Sequence, residues 1–414
     1  MARLGFGAFL APHHPIGEHP MLQFRRDIAL VEHLDKLGYD EFWCGEHHSS
    51  GWEMIASPEM FLAAAAERTG RIKLGTGVVS LPYHHPFNVA QRIVQLDWMC
   101  GGRAIFGSGP GALASDAHAL GIDPMLQRPR QDEAIGIIKR LLKGERVTYK
   151  GDWFELNDAA LQLLPMQEEM EFVVASQISP SGMTLAGKYG AGVISIGSLS
   201  SQGLTALPTQ WGFAEESAKK HGQTVDRKHW RVLLSWHIAE TREEARRQAG
   251  PGLLRHHNEY IHGTLQNPGT KPPFSEADEA IDKTAFGDGA VATIGTPDDL
   301  VAKIKSVLTA SGGFGTVIGF VHDWASPENT MRSWDMVARY VVPEINGYLT
   351  ELRKSREFVA TNREYFDRAK SAIMTSIQEN DAAAEALKYT NSPRISASAS
   401  NVPDFNKAKG RAAE

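Results

Sequence analysis

Short hydrophobic segments alternate along the chain with longer segments whose apolar positions recur every three or four residues, and these patterns predict strands and helices respectively. Eight strands are predicted, at residues 5–10, 42–46, 72–80, 103–108, 171–176, 192–197, 231–238 and 316–321. A helical pattern follows each strand, for example at residues 58–68 after the capping residue Ser57. This alternation predicts an α/β fold, a closed (β/α)₈ barrel, with a doubly wound open sheet as the alternative.

Two long intervals between predicted elements indicate insertions into a barrel that spans residues 1–348. The first insertion, at about 144–170, contains residues 150–156, whose pattern is typical of a small hairpin. The second, at about 250–294, is rich in Pro, Gly, His and acidic residues without periodicity, which predicts a long loop of the kind that covers active sites. Residues 349–414 begin with a charged helical pattern and end in a Ser- and Ala-rich segment, which predicts a helical extension with a flexible tail.

Composition argues against several kinds of partner. The 414 residues carry a net charge of −6, which does not favour nucleic acid or an anionic membrane surface. No apolar segment approaches the ~20 residues that a membrane span needs. The two cysteines, Cys44 and Cys100, lie inside predicted elements, and no basic-then-apolar segment precedes Gly5, so we predict a cytoplasmic location.

Polar residues at the carboxyl ends of predicted strands are the candidates for chemistry. Glu46-His47-His48 ends the second strand. Because successive strand side chains point to opposite faces, at most one of the two histidines faces the barrel axis, and His47 is the candidate catalytic residue. The other adjacent pairs, His13-His14 and His84-His85, lack the spacing of a zinc site, which argues against a metal-dependent barrel hydrolase and predicts no metal.

A phosphate site is predicted after the fifth strand. Pro180 could begin a helix there, and the free amides at a helix amino terminus bind phosphate. The surrounding side chains would be Ser176, Gln177, Ser179 and Ser181, with Arg130 supplying positive charge. The glycine cluster at residues 107–111 lacks the spacing of a dinucleotide fingerprint, so the sequence does not predict a nicotinamide site.

The ordered combination of motifs resembles the bacterial luciferase-like flavin monooxygenases over about residues 3–345. The motifs are Glu46-His47-His48, residues 74–82, His85-Pro86, Leu96-Asp97, residues 102–107 and residues 173–176. Residues 8–12 and 45–47 are most similar to the limonene monooxygenase-type branch. The resemblance implies a (β/α)₈ barrel, in agreement with the strand count.

The resemblance also implies roles for individual residues. His47 matches an active-site histidine that stabilises or protonates the oxygenated flavin intermediate. Gly77 and Val78 match a non-proline cis peptide bond under the flavin ring, and Ser108 matches the residue near the reactive flavin carbon. Three further residues match phosphate-binding positions, namely Arg130, Ser176 and Gln177. Gly109 stands where relatives carry a phosphate-binding arginine.

The activity implied by the resemblance is two-component oxygenation. FMN reduced by a separate flavin reductase would react with O₂ to give a 4a-hydroperoxyflavin, which would oxygenate a small apolar or cyclic organic substrate. A deazaflavin-dependent oxidoreductase of the same superfamily, which transfers hydride without oxygen, is the alternative. We also expect a homodimer or higher homo-oligomer.

Overall fold

The computed structural model describes residues 3–11, 13–266, 270–286 and 290–390. These residues form two compact units, of which the first ends at Gly347 and the second begins at Tyr348. The strands are β1 Gly5–Leu10, β2 Glu41–Cys44, β3 Lys73–Thr76, β4 Val79–Ser80, β5 Ala104–Gly109, β6 Val147–Lys150, β7 Glu155–Ala159, β8 Phe172–Ser176, β9 Gly192–Ser195, β10 Trp230–Ile238, β11 Ala292–Gly295 and β12 Thr316–Phe320.

The α-helices of the first unit are α1 Pro20–Leu37, α2 Pro58–Ala66, α3 Pro86–Met99, α4 Ala114–Ala119, α5 Gln127–Leu142, α6 Ser181–Tyr189, α7 Ser201–Lys220, α8 Arg242–Arg255, α9 Ala277–Ala285, α10 Pro297–Ser311, α11 Pro327–Met336 and α12 Val342–Ile345. Two π-helical segments, His256–Leu265 and Val337–Val341, continue α8 and α11. The second unit contains α13 Thr350–Thr361, α14 Arg363–Gln378 and α15 Asp381–Thr390.

Eight parallel strands close into a barrel, as the sequence predicted. The order around the barrel is β1, β2, β3, β5, β8, β9, β10 and β12, and β12 pairs with β1. Beyond the end of β3, β4 pairs with β5, and β11 pairs with the carboxyl half of β10. The closed pairing rules out the doubly wound open sheet.

Local sequence signals explain several element boundaries. β1 has the predicted bounds, and Ser57 caps α2 by accepting a hydrogen bond from the Met60 amide at 3.4 Å, as predicted. α1 starts at Pro20, because His19 caps its first turn and proline suits the first helical position. It ends at Gly38, whose φ of 92° is the left-handed conformation that glycine adopts readily.

Large side chains fill the interior of the barrel below the strands' carboxyl ends. Trp43 is fully buried there, and Gly75 leaves room for it, since a Cβ at residue 75 would lie 2.5 Å from the indole ring. Apolar residues from the other strands complete this layer, namely Phe9, Ile105, Val173, Ile194, Leu233 and Ile318. The interior is therefore a packed core, and the large cavity lies at the mouth of the barrel.

The prediction of a loop at residues 250–294 was wrong for most of that range. α8 extends to Arg255, the π-helical segment His256–Leu265 follows it, and α9 covers Ala277–Ala285. α8 and α9 pack together largely through small residues such as Ala245, Ala249 and Ala280. A search for large apolar residues at helical spacing does not detect such helices. Strand β11 also lies partly in this range and was missed.

The hairpin predicted near residues 150–156 is present as the antiparallel pair β6 and β7. The helical pattern of the carboxyl-terminal extension corresponds to α13 and α14. The flexible tail predicted for the end of the chain, from Asn391 onwards, lies outside the described residues. Within the described ranges, no helix has both the length and the apolar character that crossing a lipid bilayer would require.

Candidate active site

A cavity of about 1520 Å³ lies at the carboxyl ends of the barrel strands. Small-molecule pockets usually enclose ~300–1,000 Å³, so this cavity has room for a cofactor and a substrate together. Six of the residues predicted to form the site line its wall, namely His47, Gly77, Val78, Gln177, Ser179 and Ser181. The structure thus brings together residues that follow three different strands, β2, β3 and β8.

His47 lies just beyond the end of β2, and its two ring nitrogens have different surroundings. Nδ1 is 3.1 Å from Oδ2 of Asp116, whereas Nε2 is 3.6 Å from Oε1 of Glu53 and makes no hydrogen bond within the described part of the chain. Burial favours the neutral ring, but the hydrogen bond with Asp116 and the charge of Glu53 outweigh it and raise the pKa of His47. Asp116 therefore fixes the ring through Nδ1, and Nε2 faces the Glu53 carboxylate, which also lines the cavity.

Asp116, in the short helix α4, holds the loop that carries His47. Its Oδ1 accepts hydrogen bonds from the His48 amide at 3.1 Å and from the Ser49 hydroxyl, while Oδ2 faces the His47 ring. Asp116 is only 1% exposed, and burial alone would raise its pKa, but the hydrogen bonds from His47 and Ser49 lower it. Sequence reasoning missed Asp116, because no motif around α4 distinguishes this carboxylate from an ordinary surface acid.

Glu46 lines the cavity and connects His48 and His84. Its Oε1 is 2.8 Å from Nε2 of His48 and 2.7 Å from Nε2 of His84, and its Oε2 accepts from the Ser80 amide at 2.9 Å. Burial opposes ionisation, but the hydrogen bonds from His48 and His84 prevail and lower the pKa of Glu46 to about 2. These three side chains also have the composition and closeness of a possible metal site, which the spacing of adjacent histidine pairs did not predict.

Glycines line the floor of the cavity, where there is no room for side chains. The peptide bond between Gly77 and Val78 is cis, as the resemblance implied. A Cβ on Gly77 would lie 2.6 Å from the Phe9 ring, and one on Gly109 would lie 2.5 Å from Cγ2 of Val78. Both glycines line the cavity, so a flat ligand can approach the backbone closely at this place.

A corner suited to a phosphate lies at the amino terminus of α6. The hydroxyls of Ser179 and Ser181 are 2.8 Å apart, and Nε of Arg128 is 3.4 Å from the Ser181 hydroxyl. Arg128 lines the cavity and forms no ion pair with any described carboxylate, so its charge is free for an anion. Hydroxyls, free helix amides and a guanidinium are the donors that bind phosphate in proteins.

Three predicted residues do not line the cavity. Arg130 stacks over the Trp153 ring at 5.2 Å, outside the phosphate corner. Ser108 is fully buried in β5, and its hydroxyl has no partner among the described residues, while the Ser176 hydroxyl bonds to the Gln177 carbonyl at 3.3 Å. Arg128 and Arg130 are both in the first turns of α5, roughly 200° apart around the helix, so only one can face the cavity, and the sequence alone did not show which.

The π-helical segment His256–Leu265, which we call the covering segment, forms the wall opposite the phosphate corner. Its Tyr260 ring is 4.8 Å from His13 and 5.4 Å from Trp52, and His256 is 5.0 Å from His13. Further aromatic lining residues are Phe274, Phe320, His322 and Trp324. Burial lowers the pKa of His256 and of His322 well below the usual value, so both rings are neutral near pH 7. This end of the cavity suits an apolar or aromatic ligand.

Comparison with known proteins agrees with this geometry. The family model described as luciferase-like monooxygenase matches residues 4–313. The chain is 47% identical over 364 residues to 4-hydroxyprotoasukamycin monooxygenase of Streptomyces nodosus subsp. asukaensis, a match that covers 87% of this chain and 97% of the relative. It is 46% identical over 374 residues to limonene 1,2-monooxygenase of Rhodococcus erythropolis, covering 89% and 94%.

Among solved structures, the fold is similar to that of a type II Baeyer–Villiger monooxygenase, the oxygenating constituent of 3,6-diketocamphane monooxygenase of Pseudomonas putida in complex with FMN. The TM-score is 0.70 at 26% sequence identity, covering 83% of this chain and 99% of that one. The barrel, the histidine at the end of its second strand and these long matches lead to one conclusion: the chain belongs to the luciferase-like monooxygenase family.

Proposed function

We propose that this protein is the oxygenase component of a two-component system that uses reduced FMN and O₂ to oxygenate a small apolar or cyclic organic substrate. One observation carries the proposal: His47, whose ring Asp116 fixes through Nδ1, shares one cavity with a floor lined by glycines and with a phosphate corner. A separate flavin reductase would supply the reduced FMN. The sequence contains no dinucleotide fingerprint with which the chain could bind a nicotinamide cofactor itself.

The residues present fit FMN at two places. The ring would lie against Gly77, Val78 and Gly109, where any side chain on the glycines would collide with neighbouring atoms. The phosphate would meet Arg128 and the hydroxyls of Ser179 and Ser181, with Gln177 in the wall between strand β8 and helix α6. Reduced FMN, when bound, would supply the electrons that activate O₂.

His47 would donate and recover the proton that oxygen transfer needs. Its raised pKa favours the protonated ring, and the Asp116 contact at Nδ1 leaves Nε2, which is 3.6 Å from Oε1 of Glu53, as the nitrogen that would exchange a proton in the cavity. A histidine poised near the working pH can donate that proton during oxygen transfer and regain it afterwards. The ring does not need to move for this exchange, because Asp116 fixes its orientation.

The far wall would hold the substrate and keep water out. Phe320 stacks on Phe9 at 5.6 Å, and Trp324 stacks on His322 at 3.6 Å, which makes a continuous aromatic surface. The covering segment closes over it with Tyr260, which is 2% exposed. Exclusion of water protects a reactive oxidant from breakdown and strengthens the electrostatic contacts of His47.

An oxygen-uptake assay tests the proposal. The purified protein should consume no oxygen with NADH alone, and product should form from a panel of ketones, terpenes and heteroaromatic compounds once FMN and a generic flavin reductase are added. His47→Ala should bind FMN normally yet lower product formation by about 10² to 10⁴, the usual contribution of a positioned acid or base. The control is His118→Ala, which changes an exposed histidine on α4.

Two results would contradict the proposal. Turnover with reduced deazaflavin in the absence of oxygen, and none with reduced FMN and O₂, would assign the chain to hydride transfer. Activity that requires neither FMN nor deazaflavin and is abolished by a chelator would instead indicate a metal site at Glu46, His48 and His84.

A further inference from the structure

Phe274 forms part of the cavity wall beside the covering segment. Its side chain is 7% exposed and packs in a cluster with Ala249 of α8 and Ala280 of α9, which are fully buried. The His257 ring of the covering segment stacks on the Phe274 ring, with the ring centres 4.0 Å apart and the planes at 28°. The phenyl ring therefore separates the cavity from the small residues behind it, and its size sets the depth of the cavity at this place.

The backbone of Phe274 is held by side chains of the covering segment. Residues 271–274 belong to no helix or strand. Oδ1 of Asn258 accepts a hydrogen bond from the Phe274 amide at 2.9 Å, and Nδ2 of Asn258 donates one to the Phe274 carbonyl at 2.9 Å. The Pro272 carbonyl accepts another from Nε2 of His257 at 3.0 Å. Because buried backbone groups need partners and regular secondary structure does not supply them here, these side chains determine where Phe274 lies.

Asparagine suits this position because its amide carries a donor and an acceptor side by side. Alanine at residue 258 would leave both backbone groups of Phe274 without these partners, and an unpaired buried polar group is costly. Movement of residues 271–274 towards water would relieve that cost. Loss of the Asn258 amide should therefore release the phenyl ring from the wall.

We propose that Phe274 is a specificity-determining residue that limits the length of the apolar part of the substrate, and that Asn258 is the positioning residue that holds it in the wall. The inference rests on the proposed function, because it assigns this end of the cavity to the substrate. It also narrows the substrate class. The wall favours compact cyclic compounds over the same rings with a long alkyl chain.

The test uses a graded series of ligands, namely cyclohexanone, butylcyclohexanone and octylcyclohexanone. Dissociation constants are measured by calorimetry on the flavin-free protein, and kcat and KM with FMN, O₂ and a generic flavin reductase. Phe274→Leu should raise the affinity for butylcyclohexanone relative to cyclohexanone by roughly 4- to 15-fold, which corresponds to one or two more buried methylene groups. Phe274→Trp should change this ratio in the opposite direction. The shift should appear in KM, with kcat and FMN affinity changed little.

Asn258→Ala tests the positioning role. It should change the ratio of affinities in the same direction as Phe274→Leu, and the double variant should add little, since both substitutions act through one ring. If Asn258→Ala does not fold, Asn258→Asp keeps the acceptor for the Phe274 amide but loses the donor to its carbonyl, and it should change the ratio in the same direction. The matched controls Asn88→Ala and Phe213→Leu alter exposed residues and should leave the ratio unchanged.

An unchanged ratio in either Phe274 variant overturns the specificity role. Additive effects in the double variant overturn the positioning role of Asn258. The binding measurements do not depend on oxygenation, so the two proposals can fail separately. If the proposed function fails, no product forms but the affinity shifts remain, whereas if this inference fails, product forms and the ratio of affinities is the same in all variants.

Discussion

Arg128 and Arg130 offer a matched pair for testing how the flavin phosphate is held. Both are on α5, two residues apart, but only Arg128 lines the cavity, with Nε 3.4 Å from the Ser181 hydroxyl. Arg130 packs on Trp153 instead. Arg128→Ala should therefore weaken FMN binding, while Arg130→Ala should leave FMN binding within about twofold of the unchanged protein.

The expected loss of FMN affinity in Arg128→Ala follows from the type of contact that this arginine would make with the phosphate. A hydrogen bond to a charged group contributes ~1.5–3 kcal/mol, and because Arg128 is exposed and screened by solvent we reduce this contribution to ~1–2 kcal/mol. Since ~1.4 kcal/mol corresponds to a factor of ten, the dissociation constant of FMN should rise roughly 5- to 30-fold. Riboflavin lacks the phosphate, and its affinity should change little. Arg130→Ala should lose only the contact with Trp153, about 0.5–1 kcal/mol of stability.

The assay is a fluorescence titration of both variants with FMN and with riboflavin at low and high salt. High salt should reduce the difference in FMN affinity between Arg128→Ala and the unchanged protein, because dissolved ions screen exposed charges. Equal losses for FMN and riboflavin in Arg128→Ala would show that the arginine supports the structure and not the phosphate. Loss of FMN affinity in Arg130→Ala alone would show that Arg130 binds the phosphate, as the sequence predicted.

Two further predictions concern the floor and the back of the cavity. Gly109→Ala should displace Val78, whose Cγ2 would be 2.5 Å from the new Cβ, and weaken FMN and riboflavin binding alike in the same titration, whereas Gly212→Ala, with open space around it, should not. Glu46 has a folded-state pKa of about 2, below its ordinary 4.5, so it stabilises the fold above pH 4.5 and loses this contribution as the pH falls towards 2. Glu46→Gln should accordingly unfold at a temperature that depends less on pH in this window, and parallel curves for the two proteins would contradict the assignment.

The barrel could be predicted from the sequence because each strand and helix carries its own signal. Bounds such as Gly5–Leu10 and Pro86–Met99 follow from runs of buried residues and from proline at a helix start. The position of His47 at the mouth followed from the rule that barrel enzymes place chemistry at strand ends. These inferences use residues that are close together in the chain.

The partners of His47 could not be predicted, since they depend on contacts between distant segments. Asp116 lies 69 residues from His47 in sequence, and Tyr260, which follows β10 in the chain, packs against His13 and Trp52. The covering segment was mistaken for a loop because Tyr260 is the one residue that it buries, so it shows no repeated apolar position. The choice between Arg128 and Arg130 likewise needed the rotation of α5, which no local signal gives.

The charge around His47 indicates that this arrangement serves function more than stability. Asp116 and Glu53 are 1% and 6% exposed, and both have lowered pKa values in spite of burial. Buried ion pairs contribute little net stability, because the loss of solvation offsets the attraction between the charges. Two anionic groups around one imidazole nevertheless raise the pKa of His47 and so favour its protonated form. An apolar contact here would serve stability at least as well, so the buried carboxylates support the proposal that His47 is a proton donor whose orientation Asp116 fixes.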